Sequence, residues 1–129
     1  VGQRTEWVDA WPDPKTSKLR LHYVGWSSST GEADWALRPL FSTESWAPKL
    51  ANYAFYSNKV FDEAVAKALV TTSGTERAAL YKTAQEQLAK DLPRIPLVTE
   101  EVLYAHSKRL SGVHVMPDGN INSDEISIK

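Results

Sequence analysis

The stretch LRLHYVGWSSSTGEADWALRPLF, residues 19–41, changes its hydrophobic period from two to 3.6 across a single polar loop. Leu19, Leu21 and Tyr23 alternate with Arg20, His22 and Val24, the signature of a half-buried strand that runs into Gly25 and Trp26. Beyond the loop, the spacing of Ala33, Ala36, Leu37 and Leu40 predicts a short helix from Glu32 to Phe41. Glu32 and Asp34 fall in its first turn, where the positive end of the helix dipole favours acids. Ser27, Ser28, Ser29 and Thr30, just before it, are natural caps. A strand delivered into a helix through such a loop is the building unit of a layered α/β or α+β protein.

Downstream, Ser57 or Asn58 opens a second helix whose Phe61, Ala64, Val65, Ala68 and Leu69 share one face. Ser73 and Glu76 have the spacing of a capping box. They start a third helix, with Tyr81, Ala84, Leu88 and Leu92 as its stripe and Pro93 as its stop. RIPLVTEEVLYAHS, residues 94–107, is rich in strand formers, and Pro96 confines that strand to a beginning or an edge. Gly112 and PDGN at 117–120 mark turns in an extended tail, while WPDPKTSK at 11–18 reads as a turn or linker before the first strand. Only two or three strands are visible, too few to form a sheet covering all these helical faces.

The bulk numbers exclude several classes of function. The 129 residues carry a formal net charge of −1, with acids and bases interspersed. No basic stripe is present to displace counterions from a nucleic acid or to hold an anionic membrane. No apolar run approaches the roughly 20 residues that span a bilayer, so no direct membrane insertion is expected. A composition 42% hydrophobic and 24% charged is that of an ordinary folding domain. With no cysteine in the chain, disulfides, thiolate metal sites and cysteine catalysis are ruled out together.

The serine run invites a nucleophile reading, yet the G-x-S-x-G elbow is absent: Trp26 and Ser27 follow Gly25, and the next glycine is Gly31. A serine nucleophile also needs a base, and nothing in the spacing brings His22, His106 or His114 to the loop. The same histidines lack metal-ligand spacing, so neither a metal nor any other cofactor is expected. Glu100 and Glu101 are adjacent strand positions and point to opposite faces, unlike the facing acids that hydrolysis uses. Five tryptophans are a heavy load. Trp26 and Trp35 bracket the polar loop and are candidates for the wall of a binding site, whereas Trp7, Trp11 and Trp46 are assigned to packing. Small hydroxyls beside Gly25 and Gly31 let a ligand approach the backbone, although turn formation explains them as well.

The stretches LHYVGWSSSTGEADWALRPLF, NYAFYSNKVFDEAVAKAL, ERAALYKTAQEQLAKDLPRIPLV and AHSKRLSG resemble, in order, the extracytoplasmic solute-binding proteins of peptide- and nickel-type ABC importers, and among them the glutathione-binding branch. The resemblance implies a fragment of a type II, two-lobed periplasmic-binding-protein fold, since family members are about four times this length. It places residues 1–92 in part of the C-terminal ligand-binding lobe, and 93–129 in a hinge-crossing strand and tail that return to the N-terminal lobe. The implied function is non-catalytic: capture of glutathione or a short peptide in the periplasm and delivery to the permease subunits. The remaining N-terminal part of the same protein is then a partner, and the uncovered faces make self-association of the segment an expectation.

In the dipeptide and oligopeptide branches an aspartate three positions after the loop tryptophan takes the ligand ammonium. Here that position is Ser29, and the resemblance shifts the role towards Glu32 or Asp34. Trp26 matches the family's aromatic wall, with Ser27, Ser28 and Ser29 as polar partners. Arg38 is the arginine close in sequence to the loop and is the candidate for a ligand carboxylate. It is equally placed to pair with Asp34, four positions earlier on the helix. Two alternatives from other classes are a small serine hydrolase using residues 27–30 and an interaction domain without a ligand.

Overall fold

The structure is a computed structural model that describes residues 23–99, 101 and 103–129. The expected turn at 11–18, positions 19–22 of the expected first strand, Trp7, Trp11, and Glu100 of the acidic pair lie outside the described residues. Tyr23 to Ser28 approach the loop without regular secondary structure.

Helix α1 spans Ala33–Phe41 and is followed by a single 3-10 turn, Thr43–Ser45. Helix α2 spans Lys59–Val70 and starts where expected: the Asn58 side chain accepts from the N–H groups of Val60 (2.9 Å) and Phe61 (3.2 Å). Helix α3 covers Gly74–Asp91 after the short link 71–73, with Ser73 Oγ accepting from the Glu76 N–H at 3.4 Å. Only half of the capping box forms, because the Glu76 carboxylate turns instead to Lys67 Nζ, 3.2 Å away on α2.

Helices α2 and α3 pack along one another through Phe61, Ala64, Val65 and Ala84, with Leu37, Phe41, Tyr56 and Leu88 closing the cluster. Alanines at the contact let the two backbones approach closely. The ring of Phe61 meets Phe41 and Tyr56 edge-on, at centroid distances of 6.1 and 6.0 Å. Two residues expected in these stripes lie outside them. Leu69 is 55% exposed, since the buried face ends on Ala68 one position earlier. Leu92 is 62% exposed because it has already left the helix, taking a left-handed conformation (φ 45°) with its N–H on the Leu88 carbonyl.

Between α1 and α2 the chain folds around Asn52, which is fully buried. Its amide donates to the carbonyls of Ser42 and Tyr56, both at 2.9 Å, and its side-chain oxygen accepts from the Tyr56 N–H at 3.2 Å. Around it, the Ser42 and Ser45 hydroxyls are 2.7 Å apart, and Trp46 Nε1 donates to the Tyr56 carbonyl at 2.8 Å. Trp46 also meets Phe55 edge-on, the packing role expected of it. A second polar knot joins the end of α3 to this loop. One oxygen of Asp91 accepts from Tyr56 Oη (2.6 Å), Asn58 Nδ2 (2.8 Å) and Gln87 Nε2 (2.8 Å). These donors, Tyr56 first, hold the Asp91 carboxyl below its ordinary range, while burial and the adjacent carboxylate push the Tyr56 hydroxyl up.

Beyond α3, Arg94 lays its guanidinium 5.4 Å over the Phe41 ring and donates to the Ala51 carbonyl at 2.8 Å. The strand expected over 94–107 is not formed as a ladder: positions 95–99 have no regular secondary structure, and no strand is paired with them among the described residues. A strand exists only through its neighbour's hydrogen bonds, and here the described chain offers no neighbour. The ladders that do form belong to one antiparallel hairpin. β1 (Leu110–Ser111) pairs with β4 (Ser127–Ile128), and β2 (His114–Val115) pairs with β3 (Ile121–Asn122), closing on the turn around Pro117–Asn120. Gly112 breaks the ribbon between them. Its φ is +73°, and a Cβ there would sit 1.9 Å from the Glu125 carbonyl oxygen.

In a receptor carrying this segment, Asn52→Ala removes three hydrogen bonds, leaving the Tyr56 N–H unpaired while the Ser42 and Tyr56 carbonyls each keep one donor, Ser45 N–H and Trp46 Nε1, and chemical denaturation should show a loss of about 3 kcal/mol. The Asp91 knot predicts a pH response. Because its folded pKa lies below the unfolded value, its stabilisation is complete above about pH 4 and is lost as the pH falls through the folded pKa. The melting temperature of the parent protein should therefore fall more steeply below about pH 4 than that of Asp91→Asn.

Candidate functional site

Trp26 stands at the entrance to the loop, 42% exposed, with its ring tilted 42° against Trp35 at a centroid distance of 6.0 Å. Its indole N–H donates to the backbone carbonyl of Trp35 at 3.0 Å. That acceptor is available for a local reason. In a helix the Trp35 carbonyl receives the N–H four residues on, and in α1 that residue is Pro39, which has none. An imino acid inside the helix thus leaves a carbonyl that fixes the orientation of an aromatic ring nine residues upstream.

The hydroxyl run organises the loop rather than the helix end. Glu32 occupies the N-cap position of α1, and no side chain caps that end, contrary to the expected role of residues 27–30. Instead, Ser28 Oγ donates to the Glu32 carbonyl (3.1 Å), Thr30 Oγ1 accepts from the Glu32 N–H (3.2 Å), and the Gly31 N–H returns to the Ser28 carbonyl (3.2 Å). Gly31 adopts φ +68°, the left-handed geometry this reversal requires. Ser29 is exposed at the tip. Ser27 reaches out of the loop altogether, its hydroxyl donating to the Asp118 carbonyl at 3.0 Å.

The charges form two groups. Asp34, 8% exposed, takes Arg38 in a forked arrangement, with Nε–O distances of 3.0 and 3.1 Å and Nη2–O of 2.8 Å, while Glu44 adds a weaker contact to Arg38 at 3.5 Å. Its carboxylate partner raises the Arg38 pKa against the opposing effect of burial. This i,i+4 pair is the helical pairing that the spacing allows, and each member satisfies the other. Glu32 is the more open acid. It pairs with Arg77 Nη2 at 2.7 Å, and Arg77 also lies 5.4 Å over the Tyr81 ring of α3. Sequence reasoning did not find Arg77, because 45 residues separate it from Glu32 and no local pattern links them.

The described residues supply no base for the hydrolase alternative, and His22 lies outside them. Among the described residues, none of the hydroxyls of Ser27, Ser28 and Thr30 bonds to a histidine. The His106 ring contacts the Ser107 carbonyl, and His114 faces Glu125 across the hairpin at 3.3 Å. The described residues contain no group of three metal-ligating side chains, and no helix among them is long and apolar enough to cross a membrane.

No family model matches the chain. Over all 129 residues it is 46% identical to the glutathione-binding protein GsiB of Escherichia coli strain K12 and to that of Shigella dysenteriae strain Sd197, and 48% identical to that of Salmonella choleraesuis strain SC-B67. HbpA2 from Haemophilus parasuis superposes on 82% of the chain with a TM-score of 0.56 and 30% identity. Along its whole length the chain is similar to a segment of the glutathione-binding proteins. It spans a quarter of the length of the curated relatives it matches, and a fifth of HbpA2. The segment is therefore a C-terminal part of the two-lobed fold that the resemblance implied.

If Pro39 keeps the Trp35 carbonyl available, Pro39→Ala supplies a competing N–H. The Trp26 indole proton of the receptor segment should then exchange with solvent faster, as followed by nuclear magnetic resonance.

Proposed function

We propose that the receptor containing this segment captures glutathione or a short peptide in the periplasm and passes it, unchanged, to the permease subunits of an ABC importer. The observation that carries this reading is the 46–48% identity, along the whole chain, to proteins named for binding glutathione. Alongside it stands an aromatic wall held in place but left open, the Trp26 ring over Trp35. No observation favours hydrolysis.

In this reading Trp26 supplies apolar contact, Ser28 and Ser29 offer polar contacts from the loop, and Glu32 is the acid that faces a ligand ammonium. Asp34 and Arg38 serve the same site by stiffening the first turns of α1. Residues up to about 92 belong to the C-terminal lobe, and 93–129 cross to the other lobe. The support for that boundary is the apolar run Ile95, Leu97, Val98 and Leu103, which reaches 89% exposure at Leu103 and has no cover among the described residues. Capture then depends on two lobes closing over the ligand, a closed state favoured because it binds more tightly.

Calorimetric titration of the full-length receptor with glutathione tests the reading. Binding should be seen, and Trp26→Ala should weaken it by about tenfold or more, the loss typical of a large aromatic contact. A receptor indifferent to glutathione and to short peptides would overturn the proposal, and unaltered affinity in Trp26→Ala would return that ring to packing.

A further inference from the structure

The hairpin turn Met116–Asn120 meets two segments distant from it in sequence through adjacent carbonyls. Ser27 Oγ donates to the Asp118 carbonyl at 3.0 Å, and Tyr104 Oη donates to the Gly119 carbonyl. Ser27 follows Trp26 directly, and 91 positions separate it from Asp118. The turn itself is braced from inside. The Met116 N–H bonds to the Asn120 carbonyl (2.7 Å), and the Gly119 N–H bonds to the Met116 carbonyl (2.9 Å) with Gly119 at φ +85°. The Asp118 carboxylate takes the Asn120 N–H (3.0 Å) and Nδ2 (2.8 Å), so its charge is spent within the turn. A turn stapled in this way presents its carbonyls in fixed directions.

The geometry assigns the Met116–Asn120 turn to the ligand site as its buttress: through Ser27 it sets the position of Trp26, and through Tyr104 it ties that position to the chain that follows α3. Ser27 is thus a positioning residue whose hydroxyl proton is committed to the turn. The consequence is mechanical. Displacement of the tail is passed to the binding loop through two hydroxyl-to-carbonyl bonds on one rigid turn, with the Trp26 ring also fixed from the other side by the Trp35 carbonyl. This rests on the glutathione reading above only for its ligand.

The test uses the full-length receptor with two readouts, glutathione affinity by calorimetry and the Trp26 indole N–H resonance, identified with Trp26→Phe. Ser27→Ala should weaken binding about fivefold, the worth of one hydrogen bond, and should shift the Trp26 resonance in the absence of ligand. Ser27→Thr, which keeps the hydroxyl, should restore both. Asp118→Ala removes the internal staple without touching the loop and should reproduce both effects. If Ser27→Ala weakens binding while Asp118→Ala does nothing, Ser27 contacts the ligand itself and the buttress is overturned. An unmoved Trp26 resonance in both variants overturns it as well. A parent receptor that ignores glutathione defeats the proposed ligand, and the resonance of the unliganded protein still decides the buttress.

Discussion

A single buried amide sets the frame on which the site is mounted. Asn52 is fully enclosed, and every hydrogen bond it makes is to the chain around it. A primary amide taken out of water is costly unless all its polar atoms are paired, so the segment between α1 and α2 has little freedom once Asn52 is inside. That segment positions Tyr56 against Phe61 and, through Tyr56 and Asn58, reaches the Asp91 carboxylate at the far end of α3. The three helices therefore share one polar joint as well as one apolar core.

The loop before α1 is built on the same economy of polar groups. A helix carbonyl with no N–H partner, created by Pro39, receives the Trp26 indole. The hydroxyls that looked like helix caps bond within the loop or reach to the hairpin, and the acids find arginines. Little polar capacity in the loop is idle, while the Trp26 ring and the Ser29 tip remain open. A surface so satisfied internally is ordered in advance, the condition under which binding at the proposed site would carry little ordering cost.

Periodicity made the helices readable, because burial of one face imposes its spacing on the residues: Phe61, Ala64, Val65 and Ala68 lie inside α2 as read, and Tyr81, Ala84 and Leu88 line α3. Caps were readable for the same local reason, at Asn58 and Ser73. The errors sit at edges. Leu69 lies just past the buried arc and Leu92 just past the last turn, and the 94–107 run has the composition of a strand without a paired neighbour among the described residues.

Sequence by itself determined the helices, the caps of α2 and α3, the Gly112 and 117–120 turns and the likeness of the chain to glutathione-binding proteins, since each depends on residues within a few positions of one another or on similarity along the whole length. Tertiary structure alone decided that Ser27 meets Asp118, that Arg77 meets Glu32 and that Asn52 joins Ser42 to Tyr56. Such contacts join residues whose spacing carries no period. They exist because buried or half-buried polar atoms must find partners wherever the packed helices happen to bring them.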